Sequence, residues 1–470
     1  MSDQVPQHIA DSKIFLAKFS EVQGGRLDPV YVYSTKHKRI YNYASKSLNK
    51  LVSFATGGTP SKANPEYWNG NIFWVSAKDF KSFYIDSSED TITELGLKKS
   101  SSKLIPQNSL LMVVRSGILL HTLPIAITKC PVAINQDIKA LFVKDSQLNA
   151  QYLGYFFDVF NKYVLSKIVK HSTTVQSVNT NELERLEIPL PSLEIQKEIV
   201  SFMDDAYAQK QQKELQAKAL LQSIDGYLLN ELGIQLLETK SQTIQDRMFV
   251  VNHSELSGDR LDPMFYTSQF SNIVAKLHDS ATCKRLGQIA HFSSEIWNQR
   301  DYYEKEFPYI EIGAINITDG TIEDVSFVPV EQAPSRAKVI VRTGDIIIST
   351  TRPDRGAIIK ITENENLYIA STGFSVIRDI DSNINPDYLL AILRHKLILM
   401  QMRQRSTGGN YPAITQEELS KIIIPILPIP KQQEIVNHIS SIRQQAKALQ
   451  EEGKAILEQA KKEVEHMILG

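Results

Sequence analysis

The sequence predicts a mixed α/β (α+β) protein with pseudo-two-fold symmetry, in which two tandem domains are separated by two long helices forming an antiparallel coiled coil. Residues 15–29 (FLAKFSEVQGGRLDP) and 249–263 (FVVNHSELSGDRLDP) are identical at eight of fifteen positions, at a constant offset of 234. Residues 188–200 (IPLPSLEIQKEIV) return at 424–436 (IPILPIPKQQEIV), at an offset of 236. Each half also ends in a polar stretch almost free of Gly and Pro. These observations indicate a duplicated module that ends in a helix.

Length and composition narrow the class of protein. A chain of 470 residues is too long for one hydrophobic core, so at least two domains are expected. The two cysteines, Cys130 and Cys283, form no CxxC pair, which indicates neither a disulfide framework nor a zinc site. The first residues lack the apolar stretch of a signal peptide, and the apolar runs are too short to span a membrane. We expect a cytoplasmic protein with no membrane partner.

The charge is distributed unevenly between the halves. The chain carries a net charge of −1, but residues 26–190 contain 20 Lys and Arg against 13 Asp and Glu. Residues 260–425 contain 18 against 20. The first half therefore has the positive balance that suits a polyanion, whereas the second would need a local basic patch. A solvated surface without a ligand explains the same imbalance.

Each half is predicted to contain strands, then a helix, then a proline-rich hinge and a long helix. The strand patterns are Ile72–Ser76, Leu110–Val114, Lys139–Val143, Ile340–Val341, Asp345–Ser349 and Ala357–Ile361, with helical patterns at Ala150–Lys170 and Pro386–Arg405. The hinges at 188–191 and 425–430 precede helices of roughly 55–60 Å at 1.5 Å per residue. The predicted domains are 1–190 and 236–425, and the predicted helical segments are 191–235 and 426–470.

A 3-4 spacing of apolar residues predicts how the long helices pack. In the second helix the spacing runs Ile435, Ile439, Ile442, Ala446, Leu449, Gly453, Ile456, Ala460. In the first helix Lys210 and Lys213 interrupt the equivalent series. An antiparallel pair that holds the two domains apart is the simplest arrangement. The alternative is that each helix packs only on its own domain.

Motifs for catalysis are absent from the sequence. It contains no GxxxxGK[ST] or GxGxxG loop, no HExxH, no GxSxG and no pair among its ten histidines at i, i+4. We interpret the chain as a binding scaffold. A duplicated protein–protein adaptor and an enzyme with unrecognised sites remain alternatives.

A series of segments resembles one known family. Residues 48–80 (LNKLVSFATGGTPSKANPEYWNGNIFWVSAKDF) and 284–316 resemble the start of a target-recognition domain from the specificity subunit of Type I restriction–modification enzymes. Residues 344–356 (GDIIISTTRPDRG) and 108–117 (NSLLMVVRSG) resemble the family's central strand and turn. The polar loops 171–183 and 405–419 then lead into the hinge and helix. No single segment is specific, but the duplicated order is.

The resemblance implies a fold and a role. Members hold two target-recognition domains apart on an antiparallel coiled coil, and each domain reads one half of an interrupted target in double-stranded DNA. The expected partners are two methyltransferase (modification) subunits and restriction/translocase subunits. S-adenosylmethionine, ATP and Mg would be bound by those partners, with no cofactor and no catalytic residue in this chain. The half-sites would lie about one helical turn, roughly 34 Å, apart.

Polar side chains in the predicted loops are the candidates for DNA contact, because base edges and phosphates are read by hydrogen-bonding and basic groups. In the first half they are Thr59, Ser61, Lys62, Lys78, Arg115, Ser116, Lys167, Lys170, His171, Thr173, Thr174 and Gln176. In the second half they are Asn298, Gln299, Arg300, Arg352, Arg355, Arg403, Arg405, Thr407, Asn410 and Tyr411.

Plain structural roles compete with these assignments. Gly57-Gly58 and Gly408-Gly409 would serve as turn residues with positive φ, and Trp68, Trp74 and Trp297 as core. A residue that reads different half-sites should differ between the copies, whereas one that holds the scaffold should not. For the partner subunits, the helix faces Lys210–Lys218 and Arg443–Lys462 are the candidate docking surfaces.

Overall fold

The computed structural model describes residues 39–170, 175–234, 250, 263–266, 277, 282–299, 301–318, 320–323 and 325–470. The chain divides into two compact units. The first unit comprises Met1–Gln212 with Glu452–Gly470, and the second comprises Lys213–Glu451. The repeated segment 15–29 lies outside the described residues, as does most of 249–263. The predicted domain limits stay predictions.

The first unit contains two sheets and a layer of helices. Its strands are β1 (Ser45–Ser47), β2 (Val52–Thr56), β3 (Trp68–Val75), β4 (Tyr84–Ile85), β5 (Asp90–Ile92), β6 (Leu104–Ile105), β7 (Leu110–Val113), β8 (Ile125–Thr128), β9 (Val132–Ile134), β10 (Ile138–Val143), β11 (Val169–Lys170), β12 (Ser177–Val178) and β13 (Glu187–Pro189). Its helices are α1 (Leu48–Leu51), α2 (Glu94–Lys98), α3 (Ala150–Val159), α4 (Asn161–Ile168), α5 (Thr180–Glu184) and the start of α6 (Leu193–Glu231). The two large sheets run in the orders β2-β10-β7-β8-β4 and β5-β3-β9-β6.

Strand β7 explains how these layers form one core. Leu110 and Met112 join a cluster with the helices, whereas Leu111 and Val113 join a second cluster with residues of the other sheet. Successive side chains of a strand point to opposite faces, so both faces of this sheet are covered. A strand buried on both sides appears in the sequence as a continuous apolar run, as LLMV does here.

The second unit repeats this plan. Its strands are β14 (Thr282–Arg285), β15 (Ala290–Phe292), β16 (Glu306–Ile310), β17 (Ser326–Pro329), β18 (Ala337–Ile340), β19 (Ile346–Ser349), β20 (Ile358–Lys360), β21 (Ile369–Ser371), β22 (Phe374–Ile380) and β23 (Ile423–Ile426). Its helices are α7 (Leu286–Ile289), α8 (Pro386–Arg394), α9 (Lys396–Arg405), α10 (Gln416–Ser420) and the start of α11 (Ile429–Leu469). The sheets run β15-β22-β19-β20 and β17-β16-β21-β18. In β19, Ile346 and Ile348 face the helices and Ile347 faces the other sheet, as in β7.

The predicted mixed α/β class is confirmed, but several element bounds were wrong. The predicted helix Ala150–Lys170 is two helices that meet at Phe160, and its last two residues form β11. The predicted helix Pro386–Arg405 breaks at His395. Of the predicted strand Ile340–Val341, only Ile340 belongs to β18, and the predicted Ile72–Ser76 covers the second half of β3 and extends one residue beyond it.

The long helices α6 and α11 contain 39 and 41 residues. Helix α11 begins inside the predicted hinge, with Pro430 in its first turn, where a missing N–H breaks no helical hydrogen bond. In the predicted apolar series, Leu457 is buried where Ile456 was expected. Among the described residues, no helix combines the length and the apolar character needed to cross a membrane.

Each unit contains parts of both long helices. In the first unit, Ile199 and Met203 of α6 share one core with Leu457 and Val464 of α11. In the second, Leu228 of α6 shares a core with Ile435 of α11. The alternative in which each helix packs only on its own domain is therefore wrong. The antiparallel coiled coil along the whole helices stays a prediction.

Candidate functional site

Loops that are far apart in the sequence meet in the first unit. The Thr59 hydroxyl donates to Gln136 Oε1 at 2.7 Å. The Arg115 Nε donates to Asp137 Oδ1 at 2.7 Å, and Arg115 pairs with Ser177 in a β-bridge. These contacts join the Gly-Gly loop, the turn after β7, the turn between β9 and β10 and the polar loop before α5. We call this set the first loop cluster, which consists of Thr59, Arg115, Ser116, Gln136, Asp137, Gln176 and Ser177.

Close backbone packing shapes the Gly-Gly loop. A Cβ on Gly57 would lie 1.8 Å from the Ile134 carbonyl oxygen, and one on Gly58 would lie 1.9 Å from Ser101 Oγ. Neither residue has a positive φ, so the expected reason for these glycines was wrong: they permit close approach. The Trp74 indole donates to the Gly58 carbonyl at 3.0 Å and is 5% exposed, which confirms Trp74 as core.

Several candidates of the first unit have other partners. The Lys78 ammonium lies 3.1 Å from a Glu89 carboxylate oxygen and 3.0 Å from one of Asp90. Hydrogen bonds to Asp90 and Glu89 raise the pKa of Lys78, but its charge is compensated locally. Gln176 is only 9% exposed, so its side chain is largely withdrawn from solvent. It reaches the first loop cluster through its backbone, because its carbonyl accepts from the Ser116 N–H at 3.1 Å.

The remaining described candidates of the first unit are exposed or lie near aromatic rings. Ser61 and Lys62 are exposed in the Gly-Gly loop, and the Lys62 ammonium lies 6.0 Å from the Trp68 ring centre. Lys167 lies 5.5 Å from the Tyr163 ring centre on α4, and Lys170 is exposed in β11. The candidates His171, Thr173 and Thr174 lie outside the described residues.

Gln136 and Asp137 were missed by the sequence analysis. They form, with Asn135, the polar turn NQD between two buried strands, β9 and β10. A polar triplet between two apolar runs was a usable signal. Its proximity to Thr59 and Arg115 is a long-range contact that spacing alone does not reveal.

The equivalent loops of the second unit also meet. The Arg352 guanidinium donates to the Asn410 carbonyl at 2.8 Å and lies 4.3 Å from the Tyr411 ring centre, a cation–π distance. The Arg352 backbone has φ 49, in the left-handed region. Ala413 forms β-bridges with both Thr351 and Thr407. We call this set the second loop cluster, which consists of Thr350, Thr351, Arg352, Arg355, Gly373, Thr407, Asn410 and Tyr411.

Other candidates of the second unit lie apart or are paired. The Arg405 guanidinium is 2.9 Å from Glu418 and 5.6 Å from the Phe265 ring centre, so it contributes to packing. Arg403 is exposed on α9, and Asn298 and Gln299 are exposed in the loop before β16. Arg300 lies outside the described residues. Trp297 is 4% exposed and Trp68 half-buried, and Gly408, unlike Gly409, has a positive φ, 101.

A charge network lies at the start of strand β19 in the second unit. Glu295 accepts hydrogen bonds from Arg342 at 2.6 and 2.9 Å and from Arg378 at 2.6 Å. Arg378 also donates to both oxygens of the buried Asp345, at 2.7 and 2.8 Å. Hydrogen bonding from Arg342, and then from Arg378, lowers the pKa of Glu295 from 4.5 to about 2. The network joins the loop after β15, the turn after β18 and strand β22.

The two clusters present guanidinium, hydroxyl and amide groups, which are the groups that hydrogen-bond base edges and phosphates. Within the described ranges, no group of three or more His, Cys, Asp or Glu side chains is arranged to hold a metal ion. Each copy of the mixed α/β fold therefore carries one candidate binding site.

Comparison with known proteins identifies the family. The chain belongs to the family described as Type I restriction modification DNA specificity domain, which matches residues 41–221 and 281–459. Both units are therefore copies of one family domain, and the resemblance in the sequence is confirmed.

Two curated relatives illustrate the similarity. The chain is 39% identical over 160 residues to the Type I restriction enzyme EcoR124I/EcoR124II specificity subunit of Escherichia coli, covering 34% of this chain and 39% of that protein. It is 30% identical over 192 residues to the MjaIX specificity subunit of Methanocaldococcus jannaschii, covering 39% and 43%. The matches thus span about two-fifths of the length of these relatives.

Solved structures are similar over most of the chain. The S subunit of a Type I restriction-modification system from M. genitalium covers 90% of this chain and 97% of its own, with 14% identity and a TM-score of 0.39. A chain from a structural study of type I R-M complex assembly covers 92% and 97%, with 17% identity and a TM-score of 0.46.

Proposed function

We propose that this chain is the DNA-specificity subunit of a Type I restriction–modification complex, in which each unit reads one half of a bipartite target in double-stranded DNA. One observation carries the proposal. The family domain occurs twice, and each copy brings the turn after its central strand, β7 or β19, against the polar loop before α5 or α10. The bridges Arg115–Ser177 and Thr351–Ala413 are the same contact, 236 residues apart.

The two half-sites should differ in sequence. At equivalent positions, the first loop cluster has Gln136 and Asp137 where the second unit has Thr372 and Gly373. Ser116 of the first corresponds to Arg352 of the second. An Arg reads guanine or a phosphate, whereas hydroxyl and amide groups suit other base edges. A single palindromic target is not expected from two such different surfaces.

The long helices would set the spacer between the half-sites and dock the methyltransferase subunits. Helices of 39 and 41 residues are each about 60 Å long at 1.5 Å per residue. The segment Lys210–Lys218 is exposed or half-buried everywhere except at Ala217. An antiparallel pair with such polar outer faces would act as a ruler between the two units.

The chain itself would do no chemistry. In this proposal two methyltransferase subunits bind S-adenosylmethionine and modify adenine, and restriction subunits use ATP and Mg. The chain supplies the geometry that brings these partners to one target. Because that target is the cell's own or invading DNA, the complex would work in the cytoplasm.

Selection from a random-sequence duplex library tests the proposal. The full chain, assembled with the methyltransferase subunits encoded beside it, should enrich one motif with two different halves and a fixed gap. Its affinity should fall steeply between 50 and 200 mM salt, by roughly 10³- to 10⁵-fold if about six to ten phosphates are contacted. If no motif were enriched and binding did not depend on salt, the chain would instead be a protein–protein adaptor. The acidic balance of residues 260–425 is the one observation that favours this alternative.

A further inference from the structure

A recess opens in the second unit beside the second loop cluster. Its volume is about 340 Å³. Ile315 and Ala357 line it and are 6% and 4% exposed, so they form its floor. Ile317 and Tyr411 also line it and are 53% and 71% exposed, which places them at its mouth.

The mouth of the recess is held in place. The Arg394 guanidinium, at the end of α8, donates to the Ile317 carbonyl at 2.9 Å and to the Thr318 carbonyl at 3.2 Å. It also donates to the Ile358 carbonyl in β20 at 3.2 Å. This arginine therefore fixes the turn that carries Ile317 against the sheet. A preformed recess costs less ordering free energy when a ligand binds.

The rim of the recess carries positive charge. Arg352 and Arg355 both line it, and Arg352 is fixed over Tyr411 by its bonds to the Asn410 carbonyl. An aliphatic floor below an arginine rim suits a ligand with an apolar group beside an anionic backbone. Duplex DNA offers one such group in the major groove, the 5-methyl of thymine, which proteins read by apolar contact.

A whole base turned out of the duplex fits this recess less well. Flipped bases are held by hydrogen bonds to their Watson–Crick edge. The floor here consists of Ile315 and Ala357, which offer no side-chain donor or acceptor. A methyl group needs no such partner.

We propose that this recess recognises the 5-methyl group of a thymine in the half-site that the second unit reads. The inference rests on the proposed function and adds a base identity to it. Ile317 is then a specificity-determining residue, and Arg394 is a positioning residue that acts through it.

The first unit has different side chains at the corresponding positions. Tyr309 pairs with Ile369 as Trp74 pairs with Ala133, so the strand register aligns Gly313 with Lys78 and Ile317 with Ser82. Lys78 is held by Glu89 and Asp90. Lys78 thus stands in the place of Gly313, and Ser82 in the place of Ile317. Recognition of a methyl group should therefore be confined to the half-site that the second unit reads.

Thymine-to-deoxyuridine replacement tests the proposal, because uracil pairs normally and lacks only the methyl. The full chain in its methyltransferase complex is measured against its selected duplex, with each thymine of both half-sites replaced in turn. One position, in one half-site, should weaken binding about fourfold, which corresponds to about 0.8 kcal/mol for one buried methyl. Ile317→Ala should shrink that thymine/uracil ratio toward one. The matched control Phe327→Ala, which changes an exposed residue outside the recess, should leave it at about four.

Three results would overturn the inference. Equal affinity for thymine and uracil at every position would show that no methyl is read. A ratio unaltered by Ile317→Ala would locate the recognition elsewhere. Failure to bind the unsubstituted duplex would contradict the proposed function itself. In the first two results, by contrast, the unsubstituted duplex is bound.

Discussion

The two units repeat the contacts at the start of their long helices residue by residue, whereas their loop clusters repeat only the backbone pairing. The buried Gln196 side chain accepts from the Asn149 N–H at 2.8 Å and donates to the Gln147 and Pro191 carbonyls. Gln432, 236 residues later, accepts from the Asn385 N–H at 2.8 Å and donates to the Asn383 and Leu427 carbonyls. Both glutamines are 0% exposed. These contacts fix the start of each long helix against its domain.

A second contact at the same junction is repeated as closely. The Tyr152 hydroxyl donates to the Pro189 carbonyl at 3.0 Å, and the Tyr388 hydroxyl donates to the Pro425 carbonyl at 3.0 Å. In the loop clusters, by contrast, Arg115 donates to the Asp137 carboxylate, whereas Thr351 and Gly373 occupy these two positions in the second unit. The comparison teaches that the helix junction is the same in both copies, while the side chains of the loops have diverged.

Exchange of one unit should have the largest effect on the recognised sequence. Replacing residues 26–190 with the corresponding segment of another family member should change one half-site completely and leave the other half-site and the gap unaltered. The physical reason is that each loop cluster is formed within its own unit. Selection from the same duplex library gives both half-sites in one experiment, and a change in both would contradict independent recognition.

Removal of the junction glutamine should lower the free energy of unfolding by the same amount in either unit. Gln196→Ala and Gln432→Ala each leave a backbone N–H and two carbonyls buried without their partner, so we expect about 2 kcal/mol of lost unfolding free energy for each. Chemical denaturation measures it. Gln444→Ala, at an exposed position of α11, is the matched control and should change stability by less than about 0.5 kcal/mol. A large loss in only one unit would show that the junctions are not equivalent.

Single arginine changes should separate the two readers. Arg115→Ala should relax the motif in one half-site and Arg352→Ala in the other, each with about tenfold weaker binding, because one well-placed arginine–base contact discriminates by about 1–3 kcal/mol. Arg405→Ala serves as the control, since the Arg405 side chain is only 19% exposed and lies 2.9 Å from Glu418, whereas the Arg115 side chain is 58% exposed. It should leave the selected motif intact. If Arg115→Ala and Arg352→Ala affect the same half-site, the assignment of one cluster to each half is wrong.

The charge network should make the stability of the second unit depend on pH between about 4.5 and 2. The pKa of Glu295 is lowered from 4.5 to about 2, so its ion pairs stabilise the unit above pH 4.5 and are lost as the pH falls toward 2. Glu295→Gln should therefore lower the free energy of unfolding by about 1 kcal/mol at pH 7, because the ion pair is partly exposed, and by less at pH 3. The thermal midpoint at each pH measures this difference. In the first unit the position of Asp345 is occupied by Ser109, whose hydroxyl does not form such an ion pair. An equal effect of Glu295→Gln at both pH values would contradict this account.

The sequence predicted the features that depend on local composition. The long helices follow from stretches nearly free of Gly and Pro, and the buried strands from short β-branched runs. The helix breaks were missed because tertiary contacts cause them. The Asn161 side chain bonds both the N–H and the carbonyl of Leu123, each at 2.9 Å. The His395 ring accepts from the Leu397 N–H at 3.3 Å and contacts the Asp225 carbonyl at 3.1 Å.

Only part of the candidate site was predicted, because local composition reveals loops but not their tertiary contacts. The loops that carry Thr59, Arg115, Arg352 and Asn410 were found because Gly, Ser, Thr and Arg interrupt the apolar pattern. The pairing of Lys78 with Glu89 and Asp90, and of Arg405 with Glu418, depends on folding and has no signature in a single sequence. Whether any of these side chains contacts DNA stays a prediction.

The methylome of a host strain tests the central claim most directly. The chain is expressed with its neighbouring methyltransferase in a host that lacks adenine methylation, and the host DNA is sequenced with modification-sensitive reads. We predict one bipartite motif, with two different halves, a fixed gap and N6-methyladenine in each half. A stable complex that leaves the host DNA unmodified, or that modifies a single uninterrupted sequence, would contradict the proposal that two separate units read the target.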